Sequence, residues 1–387
     1  MSIPFAYNLR NLVVRKTTTI MTALGIALTV AVLLAILALV NGLRTTLSIS
    51  GDPLHVLVLR KGSDSELVSV FLRSQFQDLK FKSGIAMGRD GQPLASLEVV
   101  TIMILDGADD ASSSNLTVRG LPPAGIEMRR NVHLVGGRWF RQGQREVVVG
   151  KSIADRFAAG QIGKKVHFGR GDWEIVGVFD ASGGAQGSEV WGDLFQVSSD
   201  LQRVDAVSSG LVTATDPAAA RALVASLNDD QRLGVKAMLE QEYYDQQTSS
   251  AKPIESVGII VAIIMAIGSS FAAMNTMYAA VARRSREIGT LRVLGFSKGS
   301  ILSSFLLESA LLSALGGMLG CVLALPLNGV ATSIGNSTFS ETSFAFHVTP
   351  QIMLTGVIFA VVLGSVGGLF PARMASRKQI LTSLREG

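Results

Sequence analysis

The sequence holds one cysteine, four histidines and few charges: Asp, Glu, Lys and Arg make up 17% of its 387 residues. A single cysteine, Cys321, excludes an intramolecular disulfide, so any domain in an oxidising compartment must hold together by packing alone. His55, His133, His167 and His347 are scattered, with no metal-ligand spacing. HExxH and GxSxG are both absent, and no Ser, His and Asp set is justified by spacing. Gly150-Lys151-Ser152 falls short of a phosphate-binding loop, which needs glycine where Arg145 stands; it reads as a strand end followed by a short helix from near Ser152. Catalytic, cofactor-binding and metal residues are therefore not expected, nor is an enzyme.

The charges are also unevenly placed. Soluble domains carry about a quarter charged residues, whereas Thr17–Leu43, Ser256–Ala282, Ser309–Ser340 and Thr342–Ala372 carry none. A membrane-spanning helix needs about 20 mostly apolar residues, and each stretch supplies one. The expected spans are 18–41, 257–281, 304–327 and 352–371. The first could instead be a secretory signal, since Arg10, Arg15 and Lys16 precede it. Its apolar run is too long for a signal core, however, and it ends in Leu39-Val40-Asn41-Gly42, a poor cleavage site.

Positive charge beside the spans sets orientation. It falls in the N-terminal segment 1–17, in the loop 282–303 (Arg283, Arg284, Arg286, Arg292 and Lys298) and in the tail 372–387 (Arg373, Arg377, Lys378 and Arg385). The connection 328–351 has no Lys or Arg. Both termini and the loop 282–303 are thus expected in the cytoplasm, with 42–256 and 328–351 outside an inner membrane. The formal net charge of +5 is then membrane-orienting charge and does not imply a nucleic-acid partner.

Segment 42–256 is long enough for a large domain, and it reads as α+β. Val147–Val149, Lys165–Phe168 and Trp173–Phe179 have strand composition, separated by glycine turns such as Ser182-Gly183-Gly184. Asp216 before Pro217 is a helix cap followed by a first-turn proline. A second helical run is expected over about 230–247. The fold class is a membrane protein with four transmembrane α-helices, one plus three, around a large α+β extracytoplasmic domain.

Ala23, Ala27 and Ala31 share one face of the first span. Gly316 and Gly320, and Gly364 and Gly368, repeat the GxxxG spacing in the third and fourth. Small residues let helix backbones approach in lipid. They fit either a dimer or mobile helix interface, or packing within the four-helix unit. Glu308 is the one carboxylate at a span, near its cytoplasmic start. Ion-coupled carriers usually show several buried ionisable groups and internal repeats, so that class is disfavoured.

The loop after the second span reads Arg284-Ser285-Arg286-Glu287-Ile288-Gly289-Thr290-Leu291-Arg292-Val293-Leu294-Gly295-Phe296. Gly289 and Gly295 flank a short helical piece, Leu291 and Leu294 share one side of it, and the arginines can reach acidic groups or lipid headgroups. This loop resembles the coupling-helix loop of permeases in the MacB/FtsX/LolC superfamily of ABC transporters. The resemblance extends to Glu308, the third-span glycines and Pro371-Ala372-Arg373. In the outer domain it covers Arg145–Gly150, Gly163–Gly169 and Trp173–Asp180, which are similar to the MacB-type periplasmic core. One departure is the short segment before the first span, where MacB carries an ATPase domain. Another is the tail, where Gln379–Ser383 lacks the family's usual proline.

The resemblance implies a permease that works with a separate ATPase, which would bind the ATP and Mg. Arg284, Arg286, Glu287, Gly289, Leu291, Arg292, Leu294 and Gly295 would form the coupling contact. A second permease copy, a periplasmic adaptor and membrane lipid are the further partners implied. ATP binding would close two permeases together and move the outer domain, driving export or extraction of a lipid, lipoprotein, peptide or drug by mechanotransmission. The alternative is an FtsX-like signalling protein that activates a cell-wall hydrolase.

Overall fold

The computed structural model describes residues 16–88, 90–106, 113–248, 252–335 and 341–377. Arg10, Arg15, Lys378, Arg385 and the tail segment Gln379–Ser383 lie outside the described residues. In chain order the helices are α1 (Lys16–Ser50), α2 (Arg73–Leu79), α3 (Pro123–Met128), α4 (Lys151–Arg156), α5 (Leu194–Asp200), α6 (Pro217–Asp229), α7 (Glu240–Thr248), α8 (Lys252–Arg283), α9 (Ser285–Val293), α10 (Lys298–Ala324) and α11 (Pro350–Arg377). The strands are β1 (His55–Arg60), β2 (Phe71–Leu72), β3 (Ala95–Asp106), β4 (Ser113–Leu121), β5 (His133–Gly137), β6 (Glu146–Gly150), β7 (Lys165–Phe168), β8 (Gly171–Asp180), β9 (Glu189–Asp193), β10 (Ala206–Val207), β11 (Ser209–Thr213), β12 (Val235–Leu239), β13 (Ala331–Gly335) and β14 (Glu341–Ala345). The chain divides into two compact units: a helical one (1–42, 251–330 and 345–387) and a sheet unit (43–250 and 331–344).

In the helical unit, α1, α8, α10 and α11 are each long and apolar enough to cross a membrane. Helix α1 runs on to Ser50 and α11 continues through Pro371 to Arg377, both past the span ends read from the sequence. The 35 residues of α1 extend about 52 Å at 1.5 Å each, against about 30 Å of bilayer hydrocarbon.

Small residues set how closely these helices approach. A Cβ at Gly316 would lie 2.9 Å from the Ala23 carbonyl of α1, and one at Gly320 would lie 2.8 Å from that of Ala27. Gly364 and Gly368 of α11 lie against Ser313 and Ser309 of α10, and Gly356 against Leu34 of α1. The Ser309 hydroxyl donates to the Gly364 carbonyl at 2.7 Å, and Ser270 of α8 donates to the Leu363 carbonyl at 3.3 Å. Both GxxxG pairs and the buried Ala23 and Ala27 therefore pack inside one chain, while Ala31 is half-buried. Ile260, Ile264 and Phe271 of α8, Met318 and Val322 of α10, and Ile358 and Val362 of α11 stay exposed. That outward apolar surface suits lipid or another helix.

The sheet unit is built on strands ordered β12-β1-β11-β3-β4-β9-β6-β8-β5, with β7 paired to β8. Pairing is antiparallel except at β4–β9 and β6–β8. Alternation along buried strands fills both faces. Val147, Val149, Ile175 and Val190 join the main core, while Val148, Val176, Phe179 and Trp191 form a second cluster. In that second cluster the rings of Phe179 and Trp191 stack at 4.3 Å. Strand β3 changes partner midway: Ala95–Glu98 pair with β11, and Val99–Asp106 pair with β4. Asp216 caps α6 by accepting from the amides of Ala218 and Ala219.

The helical run expected over 230–247 is corrected. Val235–Leu239 form β12, pairing antiparallel with β1 as the end strand of the sheet order, and the helix starts only at Glu240. Val235 and Ala237 are buried in the core, and that tertiary burial outweighs local helical preference. The connection after α10 holds the β13–β14 hairpin, which belongs to the sheet unit.

Candidate functional site

The loop singled out from sequence lies between α8 and α10. Helix α8 ends at Arg283, Arg284 turns the chain with φ −105° and ψ 15°, and α9 follows. Ile288 is what seats α9. It is buried with Met277 and Val281 of α8, Ile301 and Phe305 of α10, and Ala372 and Ala375 of α11. Ala372 of the segment Pro371-Ala372-Arg373, distant in sequence, thus shares an apolar cluster with the loop, while Arg373 is exposed.

Arg284 departs from the sequence reading, which aimed it at a partner's acidic groups. Its side chain is 4% exposed, and Nη1 donates to Glu308 Oε2 at 2.8 Å. Glu287 Oε2 lies 3.8 Å from Arg284 Nε. Taking both charges out of water is tolerable because each meets the other in direct hydrogen-bonding geometry. Glu308 and Arg284 are therefore an internal pair joining α10 to the start of α9.

Gly289 is likewise corrected: it is buried inside α9 and does not mark its start. Helix α9 ends in a Schellman turn, with Phe296 N–H donating to the Leu291 carbonyl at 3.1 Å and Gly295 N–H to that of Arg292 at 3.2 Å. Gly295 takes φ +92°, the left-handed conformation that glycine adopts without a Cβ clash. Ser297 then caps α10 by accepting from the Ser300 amide at 3.1 Å. Two residues separate these caps, so the α9–α10 connection is short and defined. Leu291 is half-buried; Val293 and Leu294, 62% and 66% exposed, form the apolar tip. Arg286 and Glu287 are on the exposed side, and Arg292 is half-buried with Nη1 donating to the Phe296 carbonyl at 3.4 Å.

The sheet unit contains a second constellation that the sequence reading missed. All five N–H groups of Arg119 are used: Nε and Nη2 on Glu189 (both 2.8 Å), Nη1 on Glu98 (2.7 Å), and Nη1 and Nη2 on Glu66 (2.7 and 3.0 Å). Arg129 of the turn after α3 donates from both Nη atoms to Glu98 at 2.7 and 2.8 Å. Ser209 donates to Glu66 at 2.6 Å, and the Trp191 indole donates to Glu189 at 2.7 Å. Burial alone would raise the Glu98 pKa, but the charges and hydrogen bonds of Arg129 and Arg119 outweigh it and hold the carboxyl at about 2. Glu98 sits where β3 passes from β11 to β4, so the network ties together the two halves of the sheet. Its sequence signal is a charge inside a strand-like run: Glu98 within Leu97–Val100, and Arg119 between Val118 and Gly120.

Residues 19–230 match the family model of the MacB-like periplasmic core domain, and 259–380 match that of the FtsX-like permease C-terminal region. The macrolide export ATP-binding/permease protein MacB of Pasteurella multocida is 24% identical over 96% of this chain and 58% of its own length. The chain therefore spans under three-fifths of that relative. The uncharacterized ABC transporter permease YknZ of Bacillus subtilis is 24% identical over 97% of both chains. Among solved structures, the periplasmic region of MacB from Actinobacillus actinomycetemcomitans aligns at 16% identity over 51% of this chain and 94% of that one, with a TM-score of 0.38.

Proposed function

The chain belongs to the MacB family of ABC transporter permeases, having a MacB-like periplasmic core domain and an FtsX-like permease C-terminal region, and from that premise we propose that it couples ATP hydrolysis by a partner ATPase to movement of its sheet unit. ATP and Mg are held by the partner. Two permease copies work together, and the movement drives export or extraction of a lipid, lipoprotein, peptide or drug. The basic residues flanking the long helices support cytoplasmic termini and a cytoplasmic α9, with the sheet unit outside the inner membrane.

One observation carries this reading: the exposed tip Val293–Leu294 stands on a helix fixed by Ile288 and by the Arg284–Glu308 pair. An apolar tip on a fixed base suits docking into a groove of a soluble subunit and transmitting a push. The Arg286 and Arg292 side chains flank it and suit acidic groups on that subunit or lipid phosphates. The test is co-purification of the ATPase with Val293→Asp/Leu294→Asp. At least tenfold less ATPase per permease is expected, with membrane insertion unchanged. Undiminished recovery would refute the coupling role of α9.

A further inference from the structure

The turn Ala185–Ser188, a 3₁₀ segment between β8 and β9, makes hydrogen bonds to three segments far apart in sequence. Its Ala185 N–H donates to Ser50 Oγ at 2.7 Å, and Gln186 Nε2 donates to the Ser50 carbonyl at 3.0 Å. The same Nε2 donates to the Tyr244 hydroxyl of α7 at 3.2 Å. Ser188 Oγ accepts from the backbone N–H of Ser343 in β14 at 2.9 Å. Ser50 is the last residue of α1, α7 leads toward α8, and β13–β14 lies between α10 and α11. These are the three segments through which the sheet unit is joined to the rest of the chain.

The turn is built to hold still. Gln186, Ser188 and Ser50 are 1%, 4% and 5% exposed. It is preceded by Ser182-Gly183-Gly184, where Ser182 and Gly183 take positive φ. Behind it, Gly150 approaches so closely that a Cβ there would overlap the Gly187 carbonyl. Glycine at 150 thus lets the end of β6 support the turn from beneath. The hairpin has further holds: Arg156 Nη1 donates to Glu341 and to Ser333, both at 2.9 Å, Ser114 donates to Glu341 at 3.0 Å, and Phe344 is buried. The Arg156–Glu341 pair is partly exposed and contributes little by itself. The Gln186 bonds to the buried Ser50 and Tyr244, and the Ser188 bond to the half-buried Ser343 amide, therefore set the register.

We propose that Ala185–Ser188 is the node at which the sheet unit takes up motion from the membrane helices, with Gln186 and Ser188 as positioning residues. This rests on the proposed function for the source of the motion, whereas the gathering of three segments at one turn stands on the hydrogen bonds alone. A node of this kind would make the sheet unit answer to α1, α8 and the α10–α11 pair together, and no single helix would move it independently.

The experiment uses the full chain in lipid nanodiscs, read by hydrogen exchange. In Ser188→Ala, exchange over 341–345 is expected to rise about tenfold, the scale of one hydrogen bond. In Gln186→Met the same rise is expected over 46–52 and 240–248. Strands β6 and β9 should keep wild-type protection in both, which separates release of the segments from unfolding. Ser188→Thr, which keeps the hydroxyl, should match wild type. Unchanged exchange in Ser188→Ala and Gln186→Met would overturn the node. With the ATPase and ATP added, Gln186→Met/Ser188→Ala should hydrolyse ATP at the wild-type rate, yet after trapping with vanadate it should show at least a fivefold smaller nucleotide-dependent change over 43–248. A wild-type response in that variant would overturn the transmitting role. No response in wild type itself would overturn the proposed function and the transmitting role with it, while the first arm still decides whether the turn holds the segments.

Discussion

Glu308 accepts a hydrogen bond from the Arg284 guanidinium at 2.8 Å, and the two side chains are 7% and 4% exposed. The pair ties α10 to the turn between α8 and α9, so it holds the start of α9 in place.

Removing one member should cost more than removing both. Glu308→Ala removes the buried carboxylate that the Arg284 guanidinium bonds at 2.8 Å and is expected to destabilise the permease by about 3–5 kcal/mol. Arg284→Leu/Glu308→Leu should lose distinctly less. Thermal melts in detergent check the ordering, and a double variant whose loss is the sum of the two single losses would show that the residues are not energetically coupled.

The glycines of the helical unit divide into two kinds. Gly316→Leu and Gly320→Leu drive a side chain into α1 and are expected to destabilise by about 1–3 kcal/mol. Nothing lies within 4 Å of a Cβ at Gly25 or Gly268. Ala at either position should be neutral, or stabilising by up to about 1 kcal/mol. Melting temperatures of the four variants measure the contrast.

Glu98 gives the sheet unit an acid limit. Its folded pKa of about 2 lies below the ordinary 4.5, so the unfolded state binds the proton first as pH falls. The stabilisation is fully present above pH 4.5 and is lost progressively down to pH 2. Circular-dichroism melts across that window should show a falling midpoint in wild type. Glu98→Gln should start lower at neutral pH and fall less steeply.

The charge-derived orientation is checked with single cysteines placed after replacing Cys321 by serine. A cysteine at Ser182 should be labelled by a membrane-impermeant maleimide in intact cells, and one at Lys298 only after permeabilisation. The reverse pattern would invert the assignment.

The spans were legible because lipid excludes charge, so charge-free runs mark them without any knowledge of packing. Strand Glu146–Gly150 and the Asp216–Pro217 cap were legible for a similar reason, since each is specified by neighbours in sequence. Strand β12 was not, because its burial comes from β1, far upstream. The Arg119 network was hidden in the same way: Glu66, Glu98 and Glu189 meet only after β3, β4 and β9 pair, and no local spacing announces them. Arg284 reads in sequence as a partner contact because Glu308 meets it only once α10 packs beside the start of α9. The glycine pairs could be seen in sequence, but whether they faced the same chain or another could not.

Trp139, Trp173 and Trp191 are the protein's three tryptophans, and all three fall within 43–250. Trp173 and Trp191 are fully buried, and Trp139 stacks on Phe179 and Trp191. Excited at 295 nm, the unlabelled protein therefore emits from one of its two units alone. Its fluorescence is a built-in optical channel for the sheet unit, on which the four long helices are dark.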